Sequence, residues 1–247
     1  MPSERLDKVL VKHEGVRTRS QARDLIKRGQ VRVDGRIVTK PGSVVPEHVD
    51  ICITQDELNY VSRGALKLKA ALRYFDYSVQ NAIALDVGAS TGGFTQMLLE
   101  QGAQKVYAID VGQGQLSERL TQDPKVIYYE NQDARTLNQE LIPDLVHIIT
   151  VDVSFISLQQ VLPRPFALTT DSAFLIALIK PQFQVGKEGL GKGGIVRDAN
   201  LKDQAVKTVR AWMDEQSNWE VEDVIPSPIT GGGGNEEFLL GARRQPL

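Results

Sequence analysis

From residue 80 onward the chain alternates short apolar runs with helical patterns, and that alternation constrains its fold more than any other feature. Strands are predicted at 82–87, 105–110, 126–129, 145–152 and 173–180. Apolar helical spacing lies between most of them, as at Phe94 to Leu99 and Leu158 to Leu168, and a longer helix is predicted over Asn200 to Gln216. Repeated βα units imply a parallel sheet with helices on both faces. Two more strands, 219–225 and 236–241, are joined by Pro226-Ser-Pro228 and four glycines. That link is too short for a crossover helix, so the pair must run antiparallel. The reading is an α/β, doubly wound sheet of seven strands, mostly parallel, with the last strand reversed.

Residues 1–53 have a different texture. Val9, Leu10 and Val11 lie in a first helical pattern. Ser20 is placed to cap a second, Gln21 to Arg28, which Gly29 stops. Val31 to Val38 alternates at period two around Asp34-Gly35, a hairpin signature. Another strand, Val49 to Ile53, follows a break at Pro46. The division expected is a small α+β domain at 1–58, a linker and lead-in helix at 59–79 (the helix over Arg63 to Tyr74), and a main domain at 80–247.

The net charge of −2 and a pI near 6.0 argue, on their face, against a nucleic-acid binder. The average conceals an asymmetry. Residues 1–45 carry 11 Lys and Arg against 5 Asp and Glu, a balance of +6, and the remainder carries −8. Arg19, Arg23 and Lys27 recur every four residues, forming one cationic stripe with Arg28 beside it, over an apolar face of Ala22, Leu25 and Ile26.

One cysteine, Cys52, excludes an intrachain disulfide and a cysteine-rich metal site, and favours a reducing compartment. Its alternating strand reads it as core. His13, His48 and His147 have no metal-ligand spacing, so no metal is expected. The N-terminus is charged where a signal peptide needs an apolar core. The longest strongly apolar run, Phe174 to Ile179, is far below the roughly 20 residues that span a bilayer. A soluble, cytoplasmic protein without a membrane partner is the expectation. Nothing in the chain sets an oligomeric state.

The stretch Ala84-Leu-Asp86-Val-Gly88-Ala-Ser90-Thr-Gly92-Gly-Phe94 puts a glycine-rich turn between an apolar strand and a helix. Such a turn brings backbone N–H groups close to a ligand at the carboxyl edge of the sheet. Gly88-x-x-x-Gly92 is not the dinucleotide spacing. Asp86 would repel a pyrophosphate but can face the sulfonium and ammonium of S-adenosylmethionine. Asp110 ends the second strand, where an acid can accept both ribose hydroxyls. Asp133, after the third strand, can accept from an adenine amino group. Asp86, Gly88, Ser90, Gly92, Asp110 and Asp133 are therefore the candidate cofactor residues.

At the end of the fourth strand, Val151-Asp152-Val-Ser-Phe155 lacks the Pro-Pro that often marks enzymes acting on exocyclic base amines. Lys180 ends the fifth strand, where a lysine is costly unless paired or used. Lys67 and Lys69 lie roughly 200° apart on the lead-in helix, so only one can face the site. Glu236 and Glu237 point to opposite faces of the last strand. Periodicity does not choose within either pair.

The chain resembles, over nearly its full length, the hemolysin-A-like (TlyA) ribosomal RNA methyltransferases. The resemblance rests on Arg5-Leu-Asp7, Ser20-Gln-Ala-Arg23, Tyr60 to Leu68, Asp86 to Phe94, Asp110 to Leu116, Asp152 to Leu158, Lys180 to Phe183, Gly193 to Asp198 and Gly234 to Phe238. It implies a Rossmann-like, class I S-adenosylmethionine-dependent catalytic domain similar to that of the FtsJ-like RNA 2′-O-methyltransferases, with a Lys-Asp-Lys-Glu tetrad. Carried over by motif, the tetrad is Lys67, Asp152, Lys180 and Glu237. Two departures stand out: Gln184 where the family usually has Glu, and glycine throughout 231–234, which should loosen the turn before Glu237. The run Leu25-Ile-x-x-Gly29-x-Val31-x-Val33-Asp-Gly35 is similar to the αL RNA-binding motif of a small-subunit ribosomal protein, pseudouridine synthases and tyrosyl-tRNA synthetases.

The function so implied is methylation of a ribose 2′-hydroxyl, that of a cytidine, in ribosomal RNA or a ribosomal subunit. A hydroxyl must lose its proton as it attacks, and a general base is worth roughly 10²–10⁴-fold when its pKa lies near working pH. A lysine serves where desolvation and a second cation lower its pKa. Lys180 is read as that base, Lys67 as the neighbouring cation, and Asp152 and Glu237 as orienting carboxylates. Arg5, Arg19, Arg23, Lys27, Arg28 and Arg63 are the candidate RNA contacts. The competing readings are a non-catalytic ribosome-assembly factor, a membrane-active hemolysin, and methylation of a base or a protein.

Overall fold

The computed structural model describes residues 3–13, 16, 18–27, 29–46, 48–53, 60–186, 189–191, 193–231 and 234–246, without the side chain of Asp24. The chain divides into two compact units, Met1–Tyr60 and Val61–Leu247.

The first unit contains β1 (Ser3–Arg5), α1 (Leu6–Val9), α2 (Arg19–Lys27), β2 (Val31–Val33), β3 (Arg36–Ile37), β4 (Val44–Pro46) and β5 (Ile51–Ile53). β1 pairs antiparallel with β4, and a second antiparallel sheet has the order β3-β2-β5. The hairpin turn holds Asp34 at φ 48° and Gly35 at φ 75°, matching the right-handed twist of the strands it joins. Leu6, Leu10, Ala22, Leu25, Ile26 and Val31 form the core. Full burial of a Leu, Ile or Val is worth roughly 1.5–3 kcal/mol.

Two expectations need correction here. α2 starts at Arg19, and Thr18 rather than Ser20 caps it: the Gln21 backbone N–H donates to Thr18 Oγ1 at 3.1 Å. Pro46 closes β4, and β5 follows after that break. Cys52 is exposed, because Ile53 takes the inward side of β5 and the alternation turns Cys52 out.

The second unit contains α3 (Gly64–Phe75), β6 (Ile83–Val87), α4 (Gly93–Glu100), β7 (Lys105–Ile109), α5 (Glu118–Thr121), β8 (Val126–Tyr129), β9 (Val146–Val151), α6 (Leu158–Val161), α7 (Pro163–Phe166), β10 (Thr169–Ile179), α8 (Ala199–Asp214), β11 (Trp219–Pro226) and β12 (Phe238–Arg244). Its seven strands have the order β11-β12-β10-β9-β6-β7-β8. β12 is the reversed strand, pairing antiparallel with both β10 and β11, while the remaining neighbours pair parallel. The single helix expected over Leu158 to Leu168 is two short ones, since Pro163 and Pro165 supply no N–H. β9 from Ile148 onward and β10 from Leu175 onward are buried without interruption, as strands covered on both faces are.

The topology positions the site. β6 lies between β7 and β9, and the chain winds outward through β7 and β8 before returning to β9. The strand order therefore reverses beside β6, opening a crevice at the carboxyl ends of β6 and β9.

Candidate active site

Two cavities open at that crevice. The larger, about 450 Å³, is bounded by Asp110, Val111, Gln115, Asp133, Phe155 and Ile156, among others. The smaller, about 240 Å³, is bounded by Ser62, Arg63, Lys67, Phe94, Thr91 and Lys180, among others. Gly88, Ser90, Asp152 and Ser154 border both.

The loop from β6 to α4 forms much of the shared wall. Gly88 has φ 84°, and a Cβ there would stand 2.6 Å from the Asp152 carbonyl oxygen. Only glycine lets the loop cross the end of β9 so closely. Gly92 has φ 98° and precedes the first residue of α4; a Cβ on it would run into Leu120 and Leu116. Ser90 donates its backbone N–H to Asp110 Oδ2 at 2.7 Å. Gly112 N–H donates to Asp110 Oδ1, also at 2.7 Å. Asp110 thus fastens two loops together while facing the larger cavity.

Asp133 faces the same cavity. It accepts from Arg135 Nη2 at 2.6 Å and from the Arg135 backbone N–H at 2.9 Å, which hold its carboxyl below the usual range. Glu130, which no sequence signal singled out, accepts the N–H groups of Gly114, Gln115 and Leu116 at 2.6, 2.8 and 3.2 Å. Those donors also hold its carboxyl low. It shapes the loop that carries Gln115 to the cavity.

Asp86 departs from expectation. It is fully buried under the loop, accepting from Thr95 Oγ1 at 2.6 Å and Thr150 Oγ1 at 3.0 Å, and borders neither cavity. Its strand position turns it inward, under the loop rather than into either cavity. Desolvation pushes its carboxyl up to about 7, against the pull of the two hydroxyls.

The four tetrad candidates form two ion pairs. Lys67 Nζ donates to Glu237 Oε2 at 2.6 Å. Lys180 Nζ lies 2.5 Å from Asp152 Oδ1 and donates to Ser154 Oγ at 3.0 Å. Lys67, Lys180 and Glu237 are each at most 8% exposed. Each lysine meets a carboxylate, which makes the burial of Lys67, Lys180 and Glu237 tolerable. Lys69 is exposed, and Glu236 is exposed and pairs with Lys202 at 2.8 Å.

The glycine turn before Glu237 is pinned rather than loose at its described ends. Asn235, 6% exposed, accepts the Val196 N–H at 2.9 Å and donates to the Gly194 carbonyl at 3.0 Å. A Cβ at Gly231 would collide with the Glu237 carboxylate. Gly232 and Gly233 lie outside the described residues. Gln184 closes the short turn Pro181–Phe183 with its N–H on the Pro181 carbonyl at 3.0 Å. Phe155, at the end of β9, is 90% exposed at φ 65° and packs on Phe183, ring centroids 5.0 Å apart.

Arg63 borders the smaller cavity. In the first unit, Arg5, Arg19 and Arg23 all turn their Nε edges onto Asp7, at 3.0, 3.1 and 3.0 Å. Lys27 is exposed, and Arg28 lies outside the described residues. Asp7 belongs to the Arg5-Leu-Asp7 motif, yet its part in gathering the stripe could not be read before the fold brought α1 and α2 together. Among the described residues, no group of three His, Cys, Asp or Glu side chains could hold a metal ion, and no helix is long and apolar enough to cross a membrane.

The sequence pattern of FtsJ-like methyltransferases matches residues 60–244, and that of S4 domains matches residues 4–51. The 16S/23S rRNA (cytidine-2′-O)-methyltransferase TlyA of Mycobacterium tuberculosis is 42% identical over 242 residues, 98% of this chain and 90% of its own. Hemolysin A of Brachyspira hyodysenteriae is 39% identical over 236 residues, 95% of this chain and 98% of its own. A solved structure from Streptococcus thermophilus, described as a hemolysin, superposes with a TM-score of 0.76 at 38% identity, covering 99% of this chain and 90% of that one.

Proposed function

Because this chain belongs to the FtsJ-like methyltransferase family and carries an S4 domain ahead of that catalytic domain, we propose that it methylates the ribose 2′-hydroxyl of a cytidine in ribosomal RNA. It is an S-adenosylmethionine-dependent enzyme. The observation that carries the specific reading is the pair of buried Lys–carboxylate contacts beside the wall that the two cavities share.

The larger cavity suits the cofactor by size and chemistry. Asp110 and Asp133 offer carboxylate oxygens to ribose hydroxyls and an adenine amino group, and glycine at 88 keeps the cradle open. When bound, S-adenosylmethionine supplies an electrophilic methyl carbon. The smaller cavity takes the acceptor ribose, with Arg63 near its phosphate. Lys180, as the neutral amine, takes the hydroxyl proton and becomes the ammonium, Asp152 and Ser154 orient its Nζ, and the Lys67 ammonium favours developing oxyanion charge. Glu237 holds Lys67 in place. Positioning both partners supplies the rest of the acceleration.

Residues 1–58 act as the docking module, whose excess positive charge offsets the acidic catalytic body. A ribosomal substrate puts the enzyme in the cytoplasm. Transfer of tritium from S-adenosylmethionine to isolated ribosomal subunits, followed by mapping of the modified nucleotide, tests the reading. Label on a ribose 2′-oxygen supports it; label on a base, or none with either subunit, rejects it. Lys180→Ala should lower turnover by 10² or more while the cofactor still binds.

A further inference from the structure

Asp7 is fully buried, yet three guanidiniums reach it from β1 and from two successive turns of α2. Arg5 engages it in a fork, Nε to Oδ1 at 3.0 Å and Nη2 to Oδ2 at 3.1 Å. Arg19 Nε and Arg23 Nε both donate to Oδ2, at 3.1 and 3.0 Å. The arginine side chains remain 45%, 46% and 50% exposed. One inner edge of each head is therefore spent on a single carboxylate, while the rest of the head reaches solvent. Asp7 is itself fixed: its backbone N–H donates to the Pro41 carbonyl at 3.0 Å, and Leu6 N–H to the Ser43 carbonyl at 2.7 Å.

We infer that Asp7 is a positioning residue for RNA docking, aiming Arg5, Arg19 and Arg23 as one preorganised phosphate-binding cluster. The inference rests on the proposed role of these arginines in binding RNA. Three like charges this close repel one another, and long flexible side chains would splay apart without a shared counter-charge. Held at one carboxylate, they carry a local net charge of +2 and present guanidinium edges in fixed directions, the geometry that bidentate phosphate recognition uses.

The inference makes a prediction opposite in sign to net charge. Asp7→Asn makes the unit more positive by one, so attraction at long range alone would tighten RNA binding. If aim dominates, binding weakens. The test uses the full chain with protein-free 16S and 23S ribosomal RNA as probe, titrated across potassium concentrations. Asp7→Asn should bind at least tenfold more weakly near 0.15 M salt, with a salt slope flatter by about one phosphate contact or more. Amide exchange at Leu6, Leu10 and Ile26 should remain protected, showing the unit folded. Equal or tighter binding with those amides protected overturns the inference.

Should Asp7→Asn unfold the unit, the decision passes to the native chain. The Nε–H protons of Arg5, Arg19 and Arg23 should exchange slowly both free and RNA-bound. Their release to fast exchange on RNA addition would mean the arginines leave Asp7 to bind, which also overturns it. Charge reversal of Arg19 and Arg23 to Glu separates the two levels. If reversal leaves binding unchanged, the docking reading itself fails and takes the inference with it. If reversal weakens binding and Asp7→Asn does not, only the role of Asp7 falls.

Discussion

Lys67 and Glu237 stand 170 positions apart in sequence and meet at 2.6 Å, their side chains only 9% and 3% exposed. The first comes from α3, before the sheet begins; the second directly precedes β12, the last strand laid down. The contact therefore exists only once the second unit is complete.

Breaking that pair from one side should be costly. Glu237→Ala leaves an ammonium buried without its partner, and stability should fall by about 3–5 kcal/mol. The double variant Lys67→Met with Glu237→Leu should recover most of it in a denaturation midpoint. Neither protein should transfer methyl groups, so stability and activity part company. A double variant that turned over normally would remove the pair from the chemistry.

Glycine 88 and glycine 114 both have positive φ, 84° and 64°, but different surroundings. At 114 nothing lies within 4 Å of an added Cβ, so Gly114→Ala should cost only the backbone strain, about 1–2 kcal/mol. Gly88→Ala must also displace the Asp152 carbonyl. Its cofactor affinity, measured by calorimetry, should fall a hundredfold or more, and that of Gly114→Ala by much less.

The two units should respond to acid in opposite senses. Asp86 sits near 7 in the folded chain against 3.8 for a free carboxyl. Between about pH 4 and 7 the folded state thus holds the extra proton, and stability of the second unit falls as pH rises through that window. Asp86→Asn should flatten the slope in denaturation followed by Trp212 and Trp219, both in that unit. Asp7 works the other way, its carboxyl held far below the ordinary range by Arg5, Arg23 and Arg19. Its stabilisation is full above the ordinary carboxylate range and is lost as pH drops below it.

Glu130 offers a test on cofactor binding alone. Glu130→Gln weakens the charge-assisted hydrogen bonds to the 114–116 backbone. The KM for S-adenosylmethionine should rise about tenfold with kcat changed less than twofold. Initial rates at saturating RNA read both.

How far the sequence carried the reading depended on range. The sheet was legible because βα alternation is a local pattern, and so was the reversed last strand, because four glycines cannot cross over. The glycine turn was legible as a cofactor loop because its tight backbone leaves a sequence mark. The burial of Asp86 away from both cavities is not legible there, since strand alternation states that a residue faces inward or outward without saying what covers it. Lys67 and Glu237 were chosen over Lys69 and Glu236 by motif, where periodicity was silent. Apart from Arg5 beside Asp7, the partners of Asp7, Glu130 and Ser154 lie 12 to 26 positions away, and no local pattern encodes such meetings.

The two cavities proposed for donor and acceptor share Gly88, Ser90, Asp152 and Ser154 and so meet across one common wall. A single molecule could therefore occupy both at once. A cytidine joined through its 2′-oxygen to an adenosyl amino acid by a short tether would pay the entropy of immobilisation once instead of twice. Its affinity should exceed that of either half by several orders of magnitude, and the optimal tether length would report the distance over which the methyl group travels.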